Sequence, residues 1–498
     1  MNDEMESLNA NQTWDLVPLP PNRKALKNKW VYRIKEEDGG CKRYRARLVV
    51  KGFAQQKGVD FNEIFSPVVK MQTIRLVLGM AAAWDLELEQ LDVKTAFLHG
   101  DIEEELYMEQ PEGFIKQGQE HLYCRLKRSL YGLKQAPRQW YLKFDNFMTH
   151  KGFTCCESDP CVYYKRLSTG EFVILLLYVD DMLTAGNSMR VIQELKMHLA
   201  LHFAMKDLGA AKRILGMDII HDRHKREIRL SQEKYILKIL QKFNMSNAKS
   251  VATPLADHFR LCSKMCPSTL EEKSEMDGIP YSSAVGSLMY AMVSTRPDLA
   301  HAVGVVSGFM SNPGKTHWQA VQWIFRYLRG TSSHVLCFNN KTPYICGYAD
   351  SDMAGDLDKR RSTTGYVFTF AGAAISWASR KQQVVALSST EAEYIALTEG
   401  AKELIWLQRL FGELGFQQSS FTLFSDSKSA IHLAKNSAFH SRTKHIETRF
   451  HFIRHALEEG RLQLEKIDTK VNPVDVFTKV VPREKFEFCR ASLGIVTT

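Results

Sequence analysis

No stretch of this sequence is long and apolar enough to cross a bilayer. The longest apolar run, Phe172 to Val179, falls far short of the roughly 20 residues a transmembrane helix needs. Met1 is followed by acidic residues rather than a basic, apolar leader, so an intracellular protein with no membrane partner is expected. The ten cysteines stand singly or in loose groups (Cys155, Cys156, Cys161; Cys262, Cys266) without the paired CxxC spacing of a structural zinc site, and reduced thiols are expected. Internal repeats and low-complexity tracts are also missing, which excludes solenoids and compositionally biased chains. No DTG or DSG triplet, zinc knuckle or zinc-finger spacing occurs.

What is present is a chain of 498 residues, enough for about three domains at the usual 100 to 200 residues each. Hydrophobic residues make up 44% and charged residues 24%, close to the soluble average, so substantial cores are expected and wholesale disorder is excluded. The net charge of +10 suits a polyanionic partner but also serves plain solubility. Its distribution says more. Between Asn22 and Lys51 eleven basic residues face three acidic ones, interleaved with Trp30, Tyr32, Tyr44 and Leu48, a pattern of strands with a cationic face.

Turn-rich stretches mark the organisation. Residues 1–245 mix short β-rich segments with helices; Ser246 to Pro280 reads as a linker; Tyr281 to Val293, Asp298 to Met310 and His317 to Leu328 have helical periodicity and form, with the linker, a connecting unit over 246–340. Residues 341–480 change grammar: a strand at Tyr344 to Ala349, a hairpin at Gly365 to Phe370 and Ala374 to Ala378, a further strand at Val384 to Leu387, and a helix from near Thr390. Ser388 and Glu391 have capping-box spacing, and Leu397, Ala401, Leu404, Leu407 and Phe411 can share one buried stripe. A strand at Phe421 to Phe424 and a helix from Ser427 follow, and residues 481–498 read as a tail.

Two sets of carboxylates stand out. Tyr178 to Asp181 reads YVDD after the run ILLL and before Met182 and Leu183, so an apolar hairpin presents two adjacent acids at its turn. Acids held together repel, and a divalent cation is their natural partner. Asp92, ending a short apolar strand in QLDVKTAFLHG, offers a third, with Phe97 five positions on. In the last third, Asp350 ends a strand in YADSDMAGD, Glu393 lies in the first helical turn of SSTEAEYIAL, Asp426 ends a strand in FSDSKSA, and Asp475 sits in NPVDVFTK. Phosphodiester chemistry with two metals needs carboxylates from several elements, because one strand cannot surround two cations.

The stretches RARLVVKGFAQ (Arg45 to Gln55), FSPVVKMQTIR (Phe65 to Arg75), LDVKTAFLHGDIEEELYMEQPEGF (Leu91 to Phe114), SLYGLKQAPRQWY (Ser129 to Tyr141) and LLYVDDML (Leu176 to Leu183) resemble the reverse transcriptase of copia-type (Pseudoviridae) LTR retrotransposon Pol polyproteins. The downstream acids, in this order and on these elements, resemble the RNase H of the same family. The resemblance covers nearly the whole chain. It implies an α+β multidomain protein: a right-hand polymerase with fingers and palm, a helical connection, and an RNase H-like α/β domain.

It further implies Asp92 and Asp180 as principal metal ligands with Asp181 in support, Phe97 as a steric gate beneath the sugar, and Asp350, Glu393, Asp426 and Asp475 as the nuclease quartet. Arg47 and Lys51 resemble residues that hold the triphosphate, and Gln135 one that contacts template and nucleotide. The plainer alternatives are core packing for Phe97, solvated cations for Arg47 and Lys51, and a helix cap for Gln135. The implied cofactor is magnesium, two ions per site, with manganese as a substitute. Implied partners are template RNA, a tRNA or DNA primer, RNA/DNA hybrid, deoxynucleoside triphosphates and other retrotransposon proteins.

Lys206 to Gly216 resembles a primer-supporting segment without chemistry of its own. Asp352 and Glu391 read as supporting or capping acids, and His440 to His455 as a basic helix. Met353 and Val474 depart from the family, where tryptophan and alanine are usual, an exchange expected to affect packing alone. A cytoplasmic location in virus-like particles, with nuclear presence, is expected of an active element. The absent protease and integrase signatures suggest a processed product, a truncated copy or a partial gene. The competing readings are a remnant that binds nucleic acid without catalysis and an unrelated magnesium nuclease.

Overall fold

The apolar run Phe172–Tyr178 leaves no polar face to turn to water, and in the computed structural model it is a strand buried on both sides along its middle. The structure describes residues 1–36, 42–436 and 452–497. The histidine-rich segment expected to be helical lies outside the described residues up to position 451, after which a helix runs over Phe452–Glu458.

The chain forms two compact units, Met1–Val69 with Glu87–Ala210, and Lys70–Leu86 with Ala211–Thr498. In the first, six antiparallel strands lie in the order Met205–Ala210, Glu87–Val93, Asp181–Gly186, Phe172–Tyr178, Val162–Arg166, Thr154–Cys155. Strand Glu87–Val93 is therefore paired on both edges. The helices Ala136–His150 and Met189–His202 belong to this unit. Trp140, Phe144 and Tyr163, all essentially without solvent exposure, form with Phe203 an aromatic core of edge-to-face and tilted pairs. A long hairpin, Asn28–Glu36 with Lys42–Val50, carries the basic stretch, and Tyr32 and Tyr44 on it are exposed.

The second unit takes in the helix Met71–Trp84, buried from Thr73 to Ala83. Its Arg75 is spent on carbonyls at Ile375, Val293 and Ser294 and stacks over Trp377. One five-stranded sheet runs Arg213–Ile214, Met217–Asp222, Glu227–Ser231, His334–Phe338, Ile495–Thr497. The other runs Ala373–Lys381, Thr363–Phe370, Cys346–Ser351, Thr422–Ser425, Gln463–Lys466, antiparallel in its first three strands and parallel across the last three. The helix Ser389–Glu413 connects the two halves of this mixed sheet, as a parallel crossover requires. The Ser388 hydroxyl accepts from the Glu391 amide and the Glu391 carboxylate accepts from the Leu387 amide, which satisfies two amides at the helix start.

Several boundaries differ from the sequence reading. The first compact unit stops at Ala210 rather than near 245, because the strands after it join one sheet in which Glu227–Ser231 pairs with His334–Phe338. The linker over 246–280 is bound along its first part to the helix Lys315–Gly330: Trp323, Arg326 and Arg329 donate to carbonyls of Thr253, Lys249 and Ser246. The tail at 481–498 holds a helix, Arg483–Ser492, and a strand that closes a sheet edge against His334–Phe338. Val384 to Leu387 is not a strand; the preceding one already extends to Lys381 and supplies the third strand of the sheet. Met353 is 46% exposed and Val474 is fully buried, so of the two departures only Val474 bears on packing.

Candidate active sites

In the first unit, the register of the central strands places Asp181 opposite Asp92 on one side and Lys206 opposite Asp92 on the other. Directly opposed residues share a face of the sheet, so Asp92 stands between an anion and a cation. Asp180 lies in the two-residue turn before Asp181, and its carbonyl accepts from the Val93 amide.

The turn is held from outside the hairpin. Val179 adopts a left-handed backbone (φ 57°), which costs a β-branched residue about 1–3 kcal/mol. The indole of buried Trp140 donates to the Val179 carbonyl at 2.7 Å. Thr95, three residues after Asp92, has the same left-handed backbone (φ 56°). Asp92, Asp180, Lys94, Thr95, Arg45 and Lys206 line one cavity of about 300 Å³, closed on another side by residues of the helix Asn2–Ala10.

The nucleotide-binding expectations fare differently. Arg45 lines this cavity, whereas Arg47 stacks on the Tyr131 ring with its guanidinium 4.4 Å from the centroid. Lys51 lines a separate cavity with Lys24, Lys27 and Phe53. Gln135 is fully buried, its amide bound to Gln55, the Asp60 carbonyl and Glu104, so it is committed to holding loops together. Phe97 is partly buried, packs edge-on against Tyr131 at 5.2 Å and borders the adjacent core. Trp140 and Lys206 were missed as site residues. Both fall inside motifs quoted above, but only pairing and hydrogen bonding reveal what they do.

In the second unit Asp350, Glu393 and Asp426, from two strand ends and a helix, each bring one carboxylate oxygen within 4.8 Å of the others. Asp350 is almost wholly buried. Burial and the nearby Asp350 and Asp426 charges push the Glu393 carboxyl up to about 9, and burial pushes Asp350 up to about 6 against the pull of Lys479. The Glu393 Oε2 atom is buried without a hydrogen-bond partner among the described residues. Three converging hard oxygen donors, crowded and incompletely satisfied, fit a divalent cation.

Asp475 stands apart from this trio. Its buried carboxylate is bound by two ammonium groups that reach it from less buried positions, Lys479 at 2.7 Å and Lys485 at 3.1 Å. Lys479 also reaches Asp350 at 3.5 Å, and Thr478 donates to the same Asp350 oxygen. The expected quartet is thus a trio plus a lysine-tethered fourth acid. Lys479 went unnoticed in the sequence, although its spacing of four from Asp475 was visible. Asp352 accepts from the Thr363 amide and Glu391 caps its helix, supporting tasks as expected.

Residues 11–257 match the family described as reverse transcriptase (RNA-dependent DNA polymerase). The chain is 60% identical over 497 residues to the retrovirus-related Pol polyprotein from transposon TNT 1-94 of Nicotiana tabacum, covering 99% of this chain and 37% of that protein. It is 33% identical over 316 residues to a transposon Ty5-1 protein of Saccharomyces cerevisiae, covering 63% of this chain and 100% of that one. The foamy viral protease-reverse transcriptase in complex with RNA/DNA hybrid superposes with a TM-score of 0.47 at 12% identity, over 93% of this chain and 52% of that one. The chain spans about a third of the length of the first curated relatives it matches.

Proposed function

The chain belongs to the reverse transcriptase (RNA-dependent DNA polymerase) family, among the copia-type transposon Pol polyproteins, and from that premise we propose that it copies RNA into DNA at Asp92 and Asp180 and degrades the RNA of the resulting hybrid at Asp350, Glu393 and Asp426. On this reading the unit formed by Met1–Val69 and Glu87–Ala210 acts as the fingers and palm of a right-hand polymerase and residues 341–480 as an RNase H-like domain. The observation that carries it is the convergence of Asp350, Glu393 and Asp426 from three separate elements, alongside Asp92 and Asp180 on one cavity wall.

Asp92 and Asp180, supported by Asp181, would hold two magnesium ions, or manganese in their place; the nuclease acids would hold another pair. Bound there, the ions supply activation of the attacking oxygen and charge neutralisation at phosphorus. The chain's own residues do the rest. Arg45, Lys94 and Lys206 put three cations on a wall that also carries Asp3 and Glu4, and would meet the triphosphate once metal ions neutralise Asp92 and Asp180. Trp140 keeps the Asp180 turn in its strained shape, and Phe97 limits the space beside the sugar. In the nuclease, Asp475 fixes Lys479, and Lys479 and Thr478 orient Asp350.

The partners are accordingly template RNA, a tRNA or DNA primer, RNA/DNA hybrid, deoxynucleoside triphosphates and the other proteins of the element, in cytoplasmic virus-like particles with access to the nucleus. The test is primer extension on an RNA template, with a labelled hybrid assayed in parallel, using purified protein with magnesium and then manganese. Incorporation and cleavage are expected. A folded protein that binds hybrid but does neither with either metal is a non-catalytic remnant, and the proposal fails.

A further inference from the structure

One aromatic cluster lies outside both carboxylate sites. On the helix Lys315–Gly330, Thr316, Gln319, Trp323 and Arg326 follow at spacings of three, four and three, so they share one face. This face lines an open cavity of about 430 Å³ whose other wall is His258 and Phe259. The three rings meet at angles: His258 and Phe259 at 4.3 Å, Phe259 and Trp323 edge-to-face at 5.7 Å, His258 and Trp323 edge-to-face at 5.6 Å. His258 is exposed, and Phe259 and Trp323 keep part of their surface open.

The cluster is rigidly built. The Trp323 indole donates to the Thr253 carbonyl at 2.9 Å, and Arg326 lies 4.7 Å over the Trp323 ring while its Nε donates to the Lys249 carbonyl. Beneath it Phe243 stacks on Phe325 at 5.1 Å. Fixing both ends of Trp323 and Arg326 makes sense for a surface that must be ready before its partner arrives, since it removes the ordering cost from binding. Among the described residues the terminal amino groups of Arg326 and the amides of Gln319 and Gln322 have no hydrogen-bond partner, so donors and acceptors remain available along the rim.

Charge decides the occupant. The sixteen-residue helix contains Lys315, Arg326 and Arg329 but no Asp or Glu; Lys315 is paired with Glu275 at 2.8 Å, Arg326 lines the cavity, and no acidic residue does. A cationic ligand is disfavoured there because Arg326 already occupies a face of Trp323. An anionic chain that also carries flat rings uses every feature: rings on aromatics and guanidinium, ring edges on free amides, phosphates near Arg326. We propose that His258, Phe259, Trp323 and Arg326 form a stacking platform for an unpaired base of single-stranded nucleic acid, a site separate from both carboxylate centres. Nucleotide addition plays no part in the binding, so the platform can fail while the polymerase reading stands, and the reverse.

The test is the affinity of the full chain for a labelled oligothymidylate in EDTA, beside a strand of equal length in which the bases are removed. Phe259→Ala should weaken the intact strand by about 5- to 150-fold, the range seen when a stacking aromatic is removed, and leave the abasic strand and the salt dependence unchanged. Arg326→Gln should weaken both strands and flatten the salt slope by about 0.7. Iodouracil placed in the strand should photocrosslink to the peptide carrying Phe259 or to that carrying Trp323.

The proposal is overturned if Phe259→Ala, folded by circular dichroism, binds the intact strand like the unaltered protein. Equal losses for intact and abasic strands, or crosslinks confined to other peptides, overturn it too. Trp323→Leu is a supporting variant only, since Trp323 also anchors Thr253. Primer extension by the unaltered protein is scored separately.

Discussion

Asp181 stands directly opposite Asp92 across two neighbouring antiparallel strands. Like charges so placed destabilise a sheet by roughly 0.2–1 kcal/mol, and Lys206, opposite Asp92 on its other side, offsets part of that cost. Asp181→Asn should therefore raise the melting temperature slightly in EDTA, while its stabilisation by added magnesium shrinks relative to the unaltered protein. A variant that melts lower than the parent in EDTA would show that the two acids are not opposed in the folded chain.

The two activities should separate. Asp426→Asn removes one charge from the converging nuclease trio and should slow hybrid cleavage by more than about 100-fold, since even the outer partners of metal sites are worth about 10 to 100-fold, while primer extension continues. Asp180→Asn should do the reverse. Each variant controls for misfolding in the other, and equal loss of both activities in either variant would contradict separate centres.

Phe97 should discriminate sugars by volume. Phe97→Val removes the ring that packs on Tyr131, so on the proposed reading the ratio of ribonucleotide to deoxynucleotide incorporation should rise at least about tenfold, a difference of 1.4 kcal/mol. An unchanged ratio in a variant that still polymerises would leave Phe97 as core alone.

Cation binding at the trio of Asp350, Glu393 and Asp426 should depend on pH. Glu393 keeps its proton up to about 9 when no cation competes, because of burial and its two acidic neighbours. A bound cation needs the carboxylate and expels the proton, so apparent affinity rises as pH rises toward 9 and levels off above it. Calorimetry in buffers of different ionisation enthalpy should detect proton release, and Glu393→Gln should abolish most of it. An affinity flat between pH 6 and 9 would contradict the crowded geometry.

A buried ion pair sets acid stability elsewhere in the second unit. Arg296 grips Asp298 with two hydrogen bonds of 3.0 and 2.7 Å, neither side chain is exposed, and the Tyr327 hydroxyl donates to the same carboxylate. Burial opposes ionisation of Asp298, but Arg296 and Tyr327 outweigh it and hold the carboxyl below its ordinary range. Its stabilisation is therefore complete above the unfolded value of about 3.9 and is lost as pH falls through the folded one. Asp298→Asn should cost about 3–5 kcal/mol at pH 7 by stranding Arg296, and denaturant titrations should show the gap to the parent narrowing below about pH 4.

Much of the local grammar was legible in the chain. The apolar run before YVDD had to be a buried strand, the Ser388 and Glu391 spacing had to start a helix, and the three helical periodicities between 281 and 328 correspond to helices at Tyr281–Ser294, Ala300–Ser307 and Lys315–Gly330. Those features depend on residues within a few positions of each other, where pattern and backbone geometry are directly coupled. The adjacent acids of YVDD were visible too, because two carboxylates held together on an apolar hairpin repel and call for a cation.

Long-range pairing decided the remainder. Only the sheet register put Lys206 opposite Asp92, only folding joined Met71–Trp84 to the unit of the C-terminal sheets, and only packing buried Gln135 and took Arg47 to Tyr131 instead of the Asp92 cavity. Asp475 is the exception, since Lys479 and Lys485, which bind it, lie only four and ten positions on; what folding decided there is that Lys479 also reaches Asp350. Residue type and local spacing determine what a segment can form and what chemistry a side chain can perform. Which charge finally faces which depends on contacts between residues tens to hundreds of positions apart, and the one-dimensional pattern carries no distance between them.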